Sequence, residues 1–184
     1  LLTPGDLGAT GQFGRFLMVS RDGTTRQGAP FSPTAYEPVL AAGLNREVWS
    51  VSYNGPGNAR YSVARLNAES NTFVEVASGN DGVRMRWRAT RDIQGRVHFY
   101  STPFDGLTRQ SRWIVVGPEA NAVSVTSVFY PDVGGVFDPL ISPAPGGFYV
   151  WDRNSGTGFT YRQGVFTAVP ELDIATDLTA AAWL

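Results

Sequence analysis

Short runs of β-forming residues alternate with turn sequences along the whole chain, and this alternation constrains the fold more than any other feature. Examples are GRFLMVS before RDG, EVWSVSY before NGPGN, and VRMRWRAT before RDIQG and RVHFYST. Val, Phe, Tyr, Trp and Thr suit pleated, half-buried surfaces, whereas Gly, Pro, Asn and Asp favour turns. The 21 Gly and 12 Pro are spread along the chain and do not collect in one linker. The sequence therefore predicts about ten or more strands in a single β-rich domain over residues 1–184.

Helix patterns are sparse. PTAYEPVLAAG allows one helical turn before Gly43, and TDLTAAAWL predicts a short terminal helix. Because no strand–helix–strand pattern occurs, we expect antiparallel pairing. The predicted fold class is all-β: an antiparallel β-sandwich or barrel built from successive hairpins, with little helix. A small β-propeller is the alternative, since Trp49, Phe99 and Tyr149 recur about fifty residues apart, the length of a four-stranded blade.

Composition excludes several functional classes. The 15 basic and 16 acidic residues leave a net charge of -1, which gives no electrostatic case for nucleic acid. The sequence contains no Lys, which excludes a lysine Schiff base and a P-loop, and no Cys, which excludes disulfides and a thiol nucleophile. No nucleotide-binding motif or apolar run of about 18 residues occurs, so we expect no cofactor and no membrane insertion. The abrupt ends predict a piece of a longer polypeptide.

The segment VRMRWRATRD, residues 83–92, contains the densest group of charges. Because side chains alternate across a strand, Arg84, Arg86 and Arg88 share one face and Trp87 occupies the other. A short loop with Gly95 in a left-handed conformation would pair Arg88 with His98 and Trp87 with Phe99. This register places all polar residues on one side of the hairpin and all apolar residues on the other, whereas a slip of one residue would mix them.

The polar face of this hairpin is the main candidate site. Closely spaced guanidinium groups and neighbouring aromatic donors would suit a carboxylate, a sulfate or an acidic glycan. The alternative is an ordinary solvated face whose charges are balanced by acids nearby, with Glu75, Asp81, Asp92 and Asp105 available. The candidate ligand-binding residues on the face are Arg84, Arg86, Arg88, Arg96, His98 and Tyr100.

Two further aromatic residues, Trp151 and Tyr161, flank the turn at 154–158 and could form a sugar-stacking platform, although they could equally belong to the core. No catalytic residues are predicted. His98 is the only histidine and lies among arginines, which disfavours a Ser-His-Asp site. A pair of carboxylates could in principle hydrolyse glycans, but Glu75, the best-placed acid, is better explained as a partner for arginine. No metal site is expected.

In its Cys-free, turn-punctuated β pattern and its abrupt ends, the chain resembles the projecting capsid spike domains of small non-enveloped RNA viruses such as astroviruses. The resemblance rests on general character, with no matched motif, and transfers no residue. It implies a homodimeric, non-enzymatic attachment domain on a virion surface or otherwise extracellular, binding a host receptor or an acidic glycan. The alternatives are a secreted repeat-type lectin and a carboxylate-pair glycan hydrolase. The lectin is suggested by three turns, near residues 25, 108 and 161, that are each followed by Thr, Arg and Gln.

Overall fold

The structure is a computed structural model that describes residues 15–19, 23–30, 35–44, 47–54, 59–82, 85–103, 109–117 and 122–170. Strands dominate these residues, as the alternating sequence predicts. The strands are β1 (Arg15–Val19), β2 (Thr25–Pro30), β3 (Ala35–Ala42), β4 (Val48–Asn54), β5 (Arg60–Asn67), β6 (Thr72–Asn80), β7 (Met85–Arg91), β8 (Val97–Pro103), β9 (Gln110–Val116), β10 (Val123–Phe129), β11 (Pro139–Ala144), β12 (Gly147–Asp152), β13 (Gly158–Arg162) and β14 (Val165–Ala168).

The strands form a β1–β2 hairpin and three four-stranded antiparallel sheets, each made of four consecutive strands. The first sheet is β3–β6, the second β7–β10 and the third β11–β14. This arrangement confirms the all-β class built from successive hairpins. The predicted recurrence of aromatic residues follows the same division, since Trp49, Phe99 and Tyr149 lie in β4, β8 and β12, the second strand of each sheet.

Successive sheets pack face to face. One apolar core lies between the first and second sheets and includes Trp49, Val63, Trp87 and Phe99. A second core lies between the second and third sheets. It is rich in aromatic residues, among them Trp113, Tyr130 and Phe148. The first strands of neighbouring sheets also contact each other, β3 with β7 and β7 with β11. Consecutive four-stranded sheets with adjacent first strands are the arrangement of propeller blades.

The helical turn predicted before Gly43 is wrong, because residues 35–42 form strand β3 and pair with β4. Pairing and burial in the sheet outweigh the weak local helix preference of this alanine-containing segment. The predicted terminal helix lies outside the described residues. Within the described residues no helix is long and apolar enough to cross a membrane.

Candidate functional site

The β7–β8 hairpin keeps the predicted faces but not the predicted pairing. Arg88 lies opposite Tyr100, not His98, and Trp87 lies opposite Ser101, not Phe99. The reason is in the turn, where the Asp92 carboxylate accepts hydrogen bonds from the backbone N–H groups of Gln94 and Arg96 at 3.0 and 2.9 Å. The Arg96 N–H is therefore used within the turn, and the ladder begins one residue later than predicted.

The new register is offset from the predicted one by two residues, so every side chain stays on its predicted side. Gly95 also adopts the predicted left-handed conformation, with φ of 84°. Trp87 faces the core shared with the first sheet. The arginine-bearing side of the hairpin faces the third sheet.

This contact with the third sheet corrects the expectation of a solvated outer face. His98 and Tyr100 are only 5% and 3% exposed. The His98 ring packs edge-on against Phe148 of the third sheet, with ring centroids 4.8 Å apart. Arg86 is exposed and Arg88 is half-buried, while Arg84 lies outside the described residues. The six predicted residues therefore do not form one open surface.

Arg88 is the member of this face that reaches the third sheet. Its Nη2 atom lies 2.7 Å from the Asp138 carboxylate, and its Nη1 atom donates to the Pro139 carbonyl at 2.9 Å. Arg153, from the turn after β12, approaches the other oxygen of Asp138 at 3.4 Å. We call Arg88, Asp138 and Arg153 the arginine cluster.

The arginine cluster has an unsatisfied donor. The Arg153 Nε atom is buried and has no hydrogen-bond partner among the described residues. The side chains of Arg88 and Arg153 are 23% and 35% exposed, so both lie partly at the surface. One carboxylate lies between two cations, which leaves these three residues with one positive charge in excess.

A related ion pair joins the first and second sheets. Asp81 lies before β7, and Asp138 lies before β11. The Asp81 carboxylate accepts a hydrogen bond from Arg112 Nε at 3.1 Å. Burial raises the pKa of Asp81, an effect that Arg112 offsets only in part. Two arginines of the second sheet, Arg112 and Arg88, therefore pair with aspartates that lie toward the first and the third sheet.

Two tyrosines repeat a second inter-sheet contact. The Tyr53 hydroxyl in β4 accepts the backbone N–H of Met85, at the start of β7, at 2.8 Å. Tyr100 in β8 lies close to the backbone of Ile141 in β11, which acts to lower its pKa. Burial raises the pKa of Tyr53, and it raises that of Tyr100 to about 12. These hydroxyls are therefore structural donors and acceptors, not acids or bases at neutral pH.

Arg96 and His98 belong to a separate group around Asp92. Asp92 Oδ2 lies 2.7 Å from Arg96 Nε and 2.8 Å from His98 Nε2. Burial lowers the pKa of His98 despite the nearby carboxylate, so the imidazole is neutral at pH 7. Burial alone would raise the pKa of Asp92, but hydrogen bonds from His98 and Arg96 outweigh it and lower the value. This group stabilises the turn.

Trp151 and Tyr161 do not form a joint platform. Tyr161 pairs with Phe148 and packs on Trp113, with centroids 4.8 Å apart, so it belongs to the aromatic core. Trp151 lies on the opposite face of the third sheet, where its ring is 6.0 Å from that of Tyr149. The core alternative is correct for Tyr161, and Trp151 shares a face with Tyr149 instead.

Two acids of the described residues, Glu75 and Asp152, are engaged with a cation or a turn. Glu75 accepts from the Ser62 hydroxyl at 2.6 Å and lies 3.8 Å from Arg60, as predicted for a partner of arginine. Asp152, fully buried, accepts from backbone N–H groups at 138, 154 and 155. Among the described residues no group of three His, Cys, Asp or Glu is arranged to hold a metal ion.

Asp138 and Arg153 were missed by sequence reasoning. Asp138 is 50 residues from Arg88, and its FDPL context shows no charge pattern. Arg153 lies directly before the turn at residues 154–158 and shows no charge pattern either. The sequence offered one indication of a binding role for Asp138 and Arg153. Both residues lie next to turns on a rigid β scaffold, where binding residues often lie.

Comparison with known proteins identifies the fold class. The chain matches no protein family and no curated protein sequence. Among solved structures, it resembles a streptogramin B lyase, with a TM-score of 0.56 and 16% identity over 91% of this chain and 53% of the lyase. A virginiamycin B lyase from Staphylococcus aureus has a TM-score of 0.55 at 14% identity, covering 84% of this chain and 47% of its own. A β-1,3-galactosidase has a TM-score of 0.50 at 11% identity, covering 85% and 40%.

At these identities the likeness shows the fold alone. Together with the three consecutive four-stranded sheets, it defines a β-propeller-type domain, the alternative that the fifty-residue recurrence indicated. The chain spans about half the length of the two lyases. The activities in the names of these proteins belong to those proteins.

Proposed function

We propose that this chain is a non-enzymatic attachment domain that binds an anionic group of a host receptor or an acidic glycan at the arginine cluster. The observation that carries the proposal is that the guanidinium groups of Arg88 and Arg153 share a single carboxylate, that of Asp138, which leaves one positive charge in excess. Both arginine side chains are partly exposed. A ligand carboxylate or sulfate could accept from a guanidinium in bidentate geometry and balance that charge.

The engagement of the buried acids supports a binding role over a carboxylate-pair hydrolase. Glu47, Asp81 and Asp92 have side chains no more than 8% exposed, and each is paired with an arginine. The single histidine is buried against aromatic rings. A general acid or base must reach the proton it transfers, and these groups are committed to structural contacts.

The first experiment is an acidic-glycan array followed by calorimetry on the glycans that bind. We expect Arg153→Gln to abolish binding without changing the free energy of unfolding by more than about 0.5 kcal/mol. Arg162→Gln is the matched control, because it removes the same charge from an exposed position of the third sheet. Equal losses in both variants, or no anionic ligand for the unaltered protein, would contradict the proposal. Recovery of each glycan intact would distinguish binding from hydrolysis.

A repeat-type lectin is the second candidate, and the succession of similar sheets favours it. The three sheets have the same number of strands in consecutive order, so each could carry a similar ligand site. Calorimetric stoichiometry separates the two candidates. A single-site attachment domain binds one glycan per chain, whereas a repeat lectin binds several.

The attachment proposal includes a location. The domain would belong to a capsid spike and would lie at a virion surface. The support for this location is the Cys-free, turn-punctuated composition. The encoding gene tests it directly. A spike requires a capsid shell domain in the same polypeptide, and a gene without one would reject the viral setting while leaving the anion-binding proposal intact.

A further inference from the structure

Strand β10 has an open edge. It is the last strand of the second sheet and pairs with β9 along its full length, from Val123 opposite Val116 to Phe129 opposite Gln110. Four consecutive residues, 124–127, are exposed. No other strand of the described residues pairs with β10 on the side away from β9, so the backbone N–H and C=O groups on that side are available to another strand.

The edge lacks the features that usually protect such strands. Its sequence VSVTSVF contains no charged residue and no proline, and its register with β9 has no bulge. The two other outer strands of the four-stranded sheets differ: β6 contains Glu75 and an extra residue, Val76, that shifts its register with β5, and β14 is only four residues long. On β10, by contrast, Val125 is 43% and Phe129 is 68% exposed, which adds apolar surface to the open edge.

The sequence of β10 is compatible with antiparallel pairing to itself. A twofold axis at Thr126 would place Val125 opposite Ser127 and Val123 opposite Phe129, with each pair on one face of the sheet. No like charges would meet within the strand pair. A neighbouring cation, Arg112, donates to the Ser127 hydroxyl and is neutralised by Asp81.

We infer that β10 pairs with β10 of a second copy of this chain, joining two four-stranded sheets into one eight-stranded sheet. The exposed Val125 and Phe129 would be partly covered by the partner strand. A one-strand contact buries less area than a standard interface, so the dimer forms reversibly with concentration. This inference concerns an edge in the second sheet and is independent of anion binding at the arginine cluster.

Single-cysteine crosslinking tests the contact and its register, because the chain has no native Cys. Directly opposed Cα atoms in an antiparallel pair lie about 4.5–5.5 Å apart, within disulfide reach. Thr126→Cys should give a covalent dimer under mild oxidation. Val125→Cys mixed with Ser127→Cys should crosslink faster than either variant alone. Val74→Cys, exposed on the outer strand β6, is the matched control and should remain monomeric.

Sedimentation equilibrium provides the second measurement. The unaltered protein should dimerise as its concentration rises, Val125→Lys should abolish the dimer, and Val74→Lys should not. A monomer at every concentration, or equal crosslinking of Thr126→Cys and Val74→Cys, would overturn the inference. A monomer that binds an added uncharged β-strand peptide would assign the edge to another partner and would likewise reject self-pairing.

Discussion

The Arg88 side chain joins two sheets through Asp138, with Nη2 2.7 Å from the carboxylate. The same guanidinium donates to the carbonyl of Pro139, the first residue of β11. Arg88 therefore contacts both Asp138, which directly precedes β11, and Pro139, the first residue of β11. It thereby positions the first strand of the third sheet. Because Arg153 also contacts Asp138, the structural contact and the proposed ligand site share one carboxylate.

Replacement of Arg88 should destabilise the domain, because its side chain joins the second and third sheets. Arg88→Ala leaves the Pro139 carbonyl without this donor and Asp138 with one cation. We expect a loss of about 1–3 kcal/mol in the free energy of unfolding, measured by urea denaturation. Arg91→Ala, exposed on the same strand, should change it by less than about 0.5 kcal/mol. Equal effects would contradict a specific inter-sheet role for Arg88.

Removal of the Tyr53 hydroxyl should cost about 1–2 kcal/mol of stability, because Tyr53→Phe leaves the buried Met85 N–H without its acceptor. Tyr61→Phe is the control. Both rings pack on Trp87, but the Tyr61 hydroxyl makes no hydrogen bond with the described residues. Thermal or urea unfolding of the two variants measures the difference. A loss for Tyr61→Phe as large as that for Tyr53→Phe would show that ring packing, not the hydrogen bond, is the cause.

Stability should fall as the pH drops below about 6.5, the ordinary pKa of histidine. Burial lowers the pKa of His98 in the folded state. The unfolded chain therefore binds the proton more tightly, and acidification favours unfolding by up to about 1.4 kcal/mol per pH unit within this window. His98 is the only histidine, so His98→Gln should remove the slope between pH 5 and 7. Asp92, with its lowered pKa, loses its contribution only below its ordinary value of 3.8. An unchanged slope in His98→Gln would contradict this assignment.

A side chain at position 147 should disrupt the third sheet. A Cβ atom on Gly147 would overlap the backbone carbonyl oxygen of Tyr161, which cannot move without shifting β13. We expect Gly147→Ala to lower the free energy of unfolding by about 1–3 kcal/mol. Gly135→Ala is a suitable comparison because a Cβ atom there meets nothing within 4 Å. Calorimetric melting of both variants gives the measurement, and similar melting temperatures would show that the sheet adjusts.

Local residue patterns were sufficient to predict the β7–β8 hairpin and its two faces. The alternation that separates Trp87 from Arg86 and Arg88 has a period of two residues and needs no distant information. The left-handed Gly95 followed from turn chemistry alone. The precise pairing did not, because Asp92 captures the Arg96 N–H and delays the ladder by one residue.

The sequence by itself therefore determined the all-β class, the hairpin succession and the recurrence that marks each four-stranded sheet. Only the tertiary structure decided that the arginine-bearing face is covered, because its covering residues are distant in the chain. Asp138 and Pro139 approach Arg88 across a separation of about 50 residues. Strand periodicity is local and states which side chains share a face. What packs against that face depends on how the next sheet stacks. Here the third sheet covers most of the face that was predicted to be open, and the arginine cluster lies at the margin of that contact.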